Sequence, residues 1–559
     1  MSDPADIWRS AYQHPTRWEQ DFPALTLPDM FEETARRSPN AWLIDFMGRK
    51  YSYAETLHAI DRVACGLAQL GIAKGDRVGL FLPNVPHYVA AYYGALKRGA
   101  TVVNFSPLYS AEELESQVED SGTRILFTLS ATALLPTALK VLENSSLERL
   151  VVGSVAGALP PAKSLLYRLF KRGEVSPRPD DLRVSAFSQL IANDGHGVAA
   201  EIDAERDVAL IQYTGGTTGA PKGAMLTHQN LSANARQVDL LDPEPNAEDR
   251  IMGVLPMFHV FANTCVLNRT VRRGGEMILL PRFDAGQTLA AVQRTRVTSM
   301  PGVPTMYQAL LDHPDIGKTD FSSLRVCISG GAPMPAEVKR KFEERTGAKL
   351  VEGYGLTESS GVVSTNPYRG VNKTGTIGQP LPATSVVLVD KEDPGRPPLP
   401  GEPGELTIAG PQVMKGYWNR PEADAETFID GRLRTGDVGL IDDDGYLKIV
   451  DRLKDMISVS GFKVFPSQVE AVLYRHPAVK EALVIGIADR RAGERPKAFV
   501  TLSEGATASA VELMQWLNGS LGKHERVVAI EIRDSLPKTM IGKLSRKELQ
   551  AEERAKAGA

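Results

Sequence analysis

The sequence predicts an α/β protein: a large N-terminal domain of parallel-rich βαβ subdomains joined to a β-rich subdomain, then a small α+β C-terminal domain. Three observations carry this. From about residue 26 to 350, short β-type runs alternate with helical patterns of roughly 10–15 residues, the signature of βαβ units and parallel sheets. After about residue 386 the texture changes to short strands around a loop rich in Pro and Gly. Near residue 451 the charge balance changes sign: residues 452–559 carry +5 and the remainder −9. The predicted domains are 1–450, with the β-rich part at about 380–450, and 451–559.

Taken in order, residues 77–82 (RVGLFL) read as a buried strand, and 88–98 follow as a helix of small residues. Residues 101–105 form the next strand and 111–120 a helix. The strand signal returns at 124–129, 208–213, 277–280 and 325–329. Residues 285–296 and 335–347 supply amphipathic helices. Runs at 385–389 and 405–409 flank the loop 394–403 of the β-rich part. On parallel sheets, ligands bind in the loops that follow the carboxyl ends of strands.

The length of 559 residues suits three to four units of roughly 150 residues each, and 42% hydrophobic residues can fill several cores. The net charge of −4 is too balanced for nucleic acid to be the main partner. Three cysteines, Cys65, Cys265 and Cys327, exclude a disulfide framework, and their apolar or small neighbours make them core filler. No signal peptide and no run of roughly 18 apolar residues is present, which predicts a soluble cytoplasmic protein.

The most informative segment is YTGGTTGAPKG, residues 213–223, directly after the strand-like DVALIQ. Gly215, Gly216 and Gly219 let the backbone bend tightly and aim N–H groups at an anion. Thr214, Thr217 and Thr218 add hydroxyls, and Lys222 adds a positive charge. The spacing is neither that of a P-loop NTPase nor that of a dinucleotide fold.

This run resembles the signature of the adenylate-forming superfamily: acyl- and aryl-CoA synthetases, peptide-synthetase adenylation domains and luciferases. YGLTE (354–358), TGD (435–437), DRLKD (451–455) and PKTMIGKLSRKEL (537–549) follow in the family's order. The resemblance spans about residues 29–549. Within the superfamily the chain looks most like bacterial long-chain fatty-acid–CoA ligases, on the runs YTGGTTGAPKGAMLTHQN, EGYGLTESS, GPQVMKGYWNRPE and DMISVSGFKVFPSQVE. The resemblance implies two half-reactions. A carboxylate and ATP give acyl-adenylate and pyrophosphate; the CoA thiol then displaces AMP.

It also implies roles. Lys543 is the catalytic lysine, bridging the attacking carboxylate and the α-phosphate. The loop residues Tyr213, Thr214, Gly215, Gly216, Thr217, Thr218, Gly219 and Lys222 hold the phosphates. Gly331, Ala332 and Pro333 form one wall of the adenine slot. Gly353, Tyr354 and Gly355 form the other, Tyr354 stacking on the base, and Thr357 donates to phosphate. Asp437 accepts from the ribose hydroxyls and Arg452 donates to the same sugar. Glu358, helped by Thr214, is the Mg²⁺ ligand, since a hard cation that bridges phosphates prefers carboxylate oxygen. His259 lines the acyl pocket rather than acting as a base. Leu433 departs from the aromatic that relatives often carry two residues before Thr435.

The family resolves its two half-reactions by rotating a mobile C-terminal domain, with Asp451 as the expected hinge. Gly461 and Lys463 are then the candidate CoA contacts, while 521–528 (LGKHERVV) departs from the family and receives no assignment. Residues 163–172 (KSLLYRLFKR) set Leu165, Leu166, Leu169 and Phe170 on one helical face and cations on the other. That fits either an interfacial membrane helix or a surface helix packed on its own domain. The implied partners are small molecules (fatty acid, ATP, CoA), with Mg²⁺ as cofactor, and a homodimer is compatible. Three functions stay open: a long- or medium-chain acyl-CoA ligase, a fatty-acyl-AMP or aryl-CoA ligase, and a lipid- and nucleotide-binding regulator with a dead site.

Overall fold

The computed structural model describes residues 4–197, 199–214, 221–244, 247–460, 462–539 and 543–558. Within them the backbone forms four sheets. The apolar runs at 77–80, 101–104, 123–129, 149–153, 184–186 and 208–214 are buried strands that pair in parallel in one eight-stranded sheet. Lys222–Thr227 and Gly416–Tyr417 complete it in antiparallel fashion. A nine-stranded sheet has a parallel centre built from Trp42–Phe46, Glu276–Leu279, Arg250–Gly253, Ser299–Gly302, Val326–Ser329 and Lys349–Tyr354. Helices such as Pro86–Lys97 and Leu135–Asn144 bury apolar residues against these strands, and one core joins both sheets.

Helix starts follow local capping chemistry. Ser110 accepts from Glu113 N while Glu113 reaches back to the Ser110 N–H, and Gly122 closes the same helix in a left-handed conformation. Thr227 caps His228–Asp239 in the same way.

The strands Ser385–Val389, Gly404–Ala409, Phe428–Ile429, Arg432–Ile441 and Leu447–Arg452 make an antiparallel sheet. Asp451 and Arg452 lie inside the last of these strands, opposite Val438 and Asp437. A further sheet holds Ile457–Val459, Phe462–Val464, Val479–Asp489, Gly493–Leu502 and Ala529–Ile532, with apolar cores of its own. All three cysteines are free and buried. No helix among the described residues is long and apolar enough to cross a membrane.

Candidate functional site

The carboxyl ends of the strands Val208–Thr214, Val326–Ser329 and Lys349–Tyr354 lead into the segments that the motifs single out. Thr214 stands opposite Lys222 across the antiparallel pair, and its hydroxyl donates to the Lys222 carbonyl at 3.3 Å. Gly215, Gly216, Thr217, Thr218 and Gly219 lie outside the described residues. The Lys222 ammonium sits 5.1 Å from the centre of the Tyr417 ring, and the Tyr417 hydroxyl donates to Glu358 Oε1 at 2.7 Å. One short chain of contacts therefore ties the root of the phosphate loop to the candidate metal ligand. Tyr213 is engaged elsewhere: its hydroxyl donates to Asp120 at 2.6 Å, and Asp120 also receives Arg420 at 2.5 Å. Burial first, then the Asp120 carboxylate, pushes the Tyr213 pKa up. Its side chain is thus committed to the helix Ala111–Ser121, and only its backbone faces the loop.

The proposed adenine slot depends on residues without side chains. Gly331 has φ +84°, and a Cβ there would lie 2.2 Å from Lys543 Cε. At Gly355 a Cβ would meet the Gly361 carbonyl at 2.1 Å. Gly353 likewise backs onto Ile328, and Ala332 and Pro333 continue the loop from Gly331. Thr357 and Glu358 follow in the turn Thr357–Ser359.

Tyr354 donates to Asp437 Oδ2 at 2.5 Å, and Arg452 Nε donates to Oδ1 at 2.9 Å from the facing strand. Asp437 is buried, yet each carboxylate oxygen retains accepting capacity for a further donor. Burial and Asp437 hold the Tyr354 hydroxyl protonated well above its usual range. The Asp437 charge also raises Arg452.

Lys543 reaches this cluster from the far end of the sequence. Its backbone is held by Thr539, which donates to the Lys543 carbonyl at 2.6 Å and accepts from its N–H at 3.2 Å. Burial, then the charge of Arg452, lowers its pKa to about 8, with Asp437 opposing. His259 is within reach of that charge: burial and Lys543 lower it to about 3, so it is neutral. His259 Nδ1 accepts from Phe261 N at 3.3 Å. The chain then enters a π-helical turn, Asn263–Asn268. A separate cavity of about 40 Å³, which His259 does not line, is bordered by Cys265 and Met300 together with the charged Asp242, Arg269 and Arg325.

The structure thus gathers Lys543, Gly331, Asp437, Arg452, Tyr354 and His259, with Glu358 and Lys222 linked through Tyr417. It does not bring Lys463 to them. Lys463 is exposed on the strand Phe462–Val464, and Gly461 lies outside the described residues. The neighbouring Phe462 ring lies 5.3 Å from that of His524. The 462–463 stretch and the unassigned 521–528 stretch therefore share a surface. Asp451 faces the C-terminal part: its Oδ2 accepts from Ser467 N at 2.9 Å and Ser467 Oγ at 3.0 Å, and burial pushes its pKa up.

Two further residues escape a motif reading. Tyr417 lies in the quoted run GPQVMKGYWNRPE, but its link to Glu358 exists only because Gly416–Tyr417 pairs with Lys222–Thr227. Glu352, the first letter of EGYGLTESS, accepts from Met334 N at 3.3 Å behind the slot. Its other oxygen is buried and has no hydrogen-bond partner among the described residues.

Known proteins resemble this chain over most of its length. Residues 31–418 match the AMP-binding enzyme family, and 468–543 match the AMP-binding enzyme C-terminal domain. The chain belongs to the AMP-binding enzyme family. Among its relatives, a long-chain-fatty-acid–CoA ligase of Bacillus subtilis (strain 168) is 41% identical over 551 residues, covering 98% of each chain. A feruloyl-CoA synthase of Amycolatopsis sp is 37% identical, over 92% of this chain and 96% of that one. The solved structure of ATP-bound MatB from Rhodopseudomonas palustris superposes with a TM-score of 0.82 at 28% identity, covering 94% of this chain and 99% of that one.

Proposed function

We propose that this chain is an AMP-forming acyl-CoA synthetase that activates long-chain fatty acids. A carboxylate cannot expel hydroxide, so it first attacks the α-phosphorus of ATP in line. Pyrophosphate leaves, and a mixed acyl–AMP anhydride remains. The CoA thiol then attacks the acyl carbon, forming the thioester as AMP departs. The protein's work is positioning and charge stabilisation.

Lys543 carries the first step, its ammonium lying between the incoming carboxylate and the α-phosphate as negative charge grows there. The observation that supports this most is the approach of Lys543 to Gly331 beside the Asp437–Arg452 pair. Asp437 takes the ribose hydroxyls and Arg452 donates to the same sugar. Tyr354 and the 331–333 loop enclose the base; the hydrogen bond to Asp437 fixes the Tyr354 ring. The phosphate loop and Lys222 hold the phosphates, with Thr357 donating. Neutral His259 borders the start of the acyl chain.

Glu358 and the Thr214 hydroxyl offer hard oxygen donors in a polar setting, which suits Mg²⁺ held by one carboxylate and substrate phosphates. When bound, the ion would neutralise phosphate charge; Tyr417, bonded to Glu358, orients the carboxylate. Lys463 and the adjoining 521–528 surface take CoA after the C-terminal part turns about Asp451.

Lys543→Ala is the test. We expect pyrophosphate release to fall by about 10²- to 10³-fold, while thioester formation from supplied acyl-adenylate is nearly kept. Equal losses in both steps would remove the assigned role. The 37% identity to a feruloyl-CoA synthase supports an aryl acid as the second reading. An acid panel from acetate through oleate to ferulate, scored by pyrophosphate release with and without CoA, separates the two.

A further inference from the structure

The proposed chemistry makes no use of the connection between the parallel strands Arg149–Gly153 and Val184–Ala186. This connection carries the helix Pro161–Phe170, which buries none of its residues. Leu165, Leu166, Leu169 and Phe170 are 60, 53, 49 and 78% exposed. At about 100° per residue these four side chains fall in a single arc of about 140°. Ser164 and Tyr167, on the opposite side, are the half-buried residues of the helix, and Tyr167 packs against the core. The helix is therefore docked by its weakly apolar side and displays its strongly apolar side. A surface helix that buries its apolar stripe on its own domain has the reverse orientation, so these exposures favour the interfacial alternative for 163–172.

One hydrogen bond ties the helix itself to the domain, and two tie the short helix Val155–Ala158 that precedes it. Lys163 Nζ donates to the Met47 carbonyl at 2.8 Å, Arg49 to the Gly157 carbonyl at 2.6 Å and the Tyr51 hydroxyl to the Ala158 carbonyl at 3.0 Å. Lys163 and Arg168 border the apolar strip on its two edges, and Arg172 follows in the turn Arg172–Glu174, its Nε donating back to the Arg168 carbonyl at 3.3 Å. Lys171 pairs with Glu174 at 2.5 Å and also feels the charge of Arg282. An apolar strip flanked by cations is complementary to one kind of surface: hydrocarbon beneath anionic headgroups. A second copy of the chain fits less well, because a two-fold contact would bring these cations against their own equivalents.

We propose that the helix Pro161–Phe170 docks the protein in the plane of an anionic lipid bilayer, with Leu165, Leu166, Leu169 and Phe170 inserted and the flanking cations at the headgroups. This goes beyond the ligase reading and stands without it. The test is co-sedimentation of the full chain with large unilamellar vesicles of phosphatidylcholine, with or without phosphatidylglycerol. Wild-type protein should sediment with the anionic vesicles. Leu166→Glu/Phe170→Glu should reduce partitioning by tenfold or more (roughly, from the transfer of its methylenes). Arg168→Gln/Arg172→Gln should weaken binding by about fivefold per cation. Circular dichroism and thermal unfolding of each variant serve as the control for folding, since every substituted side chain is exposed. The proposal is overturned if wild-type protein stays in the supernatant, or if Leu166→Glu/Phe170→Glu binds as well as wild type. It is equally overturned if analytical ultracentrifugation shows a dimer that this variant dissociates, because the face then belongs to a second copy.

Discussion

At the scale of single residues, Lys543 is where the electrostatics of the site converge. Burial and the nearby Arg452 lower its pKa to about 8, so the ammonium dominates below that pH and the neutral amine above it. If the ammonium stabilises the adenylation transition state, kcat/KM for ATP in pyrophosphate release should fall by about tenfold per pH unit above pH 8. Lys543→Arg keeps its charge throughout that range. Its rate should be lower overall, because the guanidinium does not fit against Gly331, but the descending limb should vanish. A limb that persists in the arginine variant would assign the titration to another group. Lys543, Glu358 and Asp437 stand out in the sequence because each sits in a contiguous motif. Tyr417 does not, since its bond to Glu358 joins residues 59 apart. The diversion of Tyr213 to Asp120 is equally hidden, being set by a helix 93 residues upstream.

At the scale of elements, the lysine-bearing segment is anchored by a buried ion pair. Arg546 opens the helix Arg546–Gly558 and donates to both oxygens of Glu470, at 2.6 and 2.7 Å, on the helix Pro466–Leu473. It also reaches the Val484 carbonyl at 3.1 Å and Asp455 at 3.2 Å. Burial pushes the Glu470 pKa up while the Arg546 charge pulls it down. Arg546→Ala leaves that carboxyl buried without its partner, a loss of about 3–5 kcal/mol. We expect a lower unfolding temperature in a thermal scan together with reduced pyrophosphate release, and partial recovery of the former in Arg546→Ala/Glu470→Gln. An unchanged scan for Arg546→Ala would refute the anchor. The parallel strands around this machinery were readable because strands covered on both faces are continuous apolar runs; 101–105 and 325–329 each appear within a residue of the strands seen. The π-helical turn Asn263–Asn268 was not, because every residue in it is buried and no polar face marks its period. The two-residue strands at 364–365 and 379–380, the second at the edge of its sheet, are too short to show a period and are set by tertiary pairing.

At the scale of the whole molecule, the near-neutral total conceals an acidic body and a basic C-terminal part, and the basic part delivers Lys543 to the site. The charge step falls near 451, and the strand Leu447–Arg452, paired with Arg432–Ile441, ends one residue beyond it. The proposed second half-reaction needs Lys543 withdrawn and the Lys463 surface presented, so it requires this arrangement to be broken. Asp312, which ends the helix Pro304–Asp312, meets Lys480 of the strand Val479–Asp489 at 3.9 Å. Both side chains are about half exposed, so the pair contributes little stability of its own, but it marks a point where the two parts touch. Asp312→Cys/Lys480→Cys, treated with a bismaleimide that has a reducible spacer, would fix that contact. The native Cys65, Cys265 and Cys327 are buried and should not compete for the reagent. The cross-linked enzyme should release pyrophosphate in one burst, stoichiometric with active sites, and retain the acyl-adenylate when CoA is added. Cleaving the spacer should restore thioester formation in the same sample. If the cross-linked enzyme instead turns over to acyl-CoA at the uncleaved rate, both half-reactions proceed in this one arrangement, and the rotation about Asp451 is not part of the cycle.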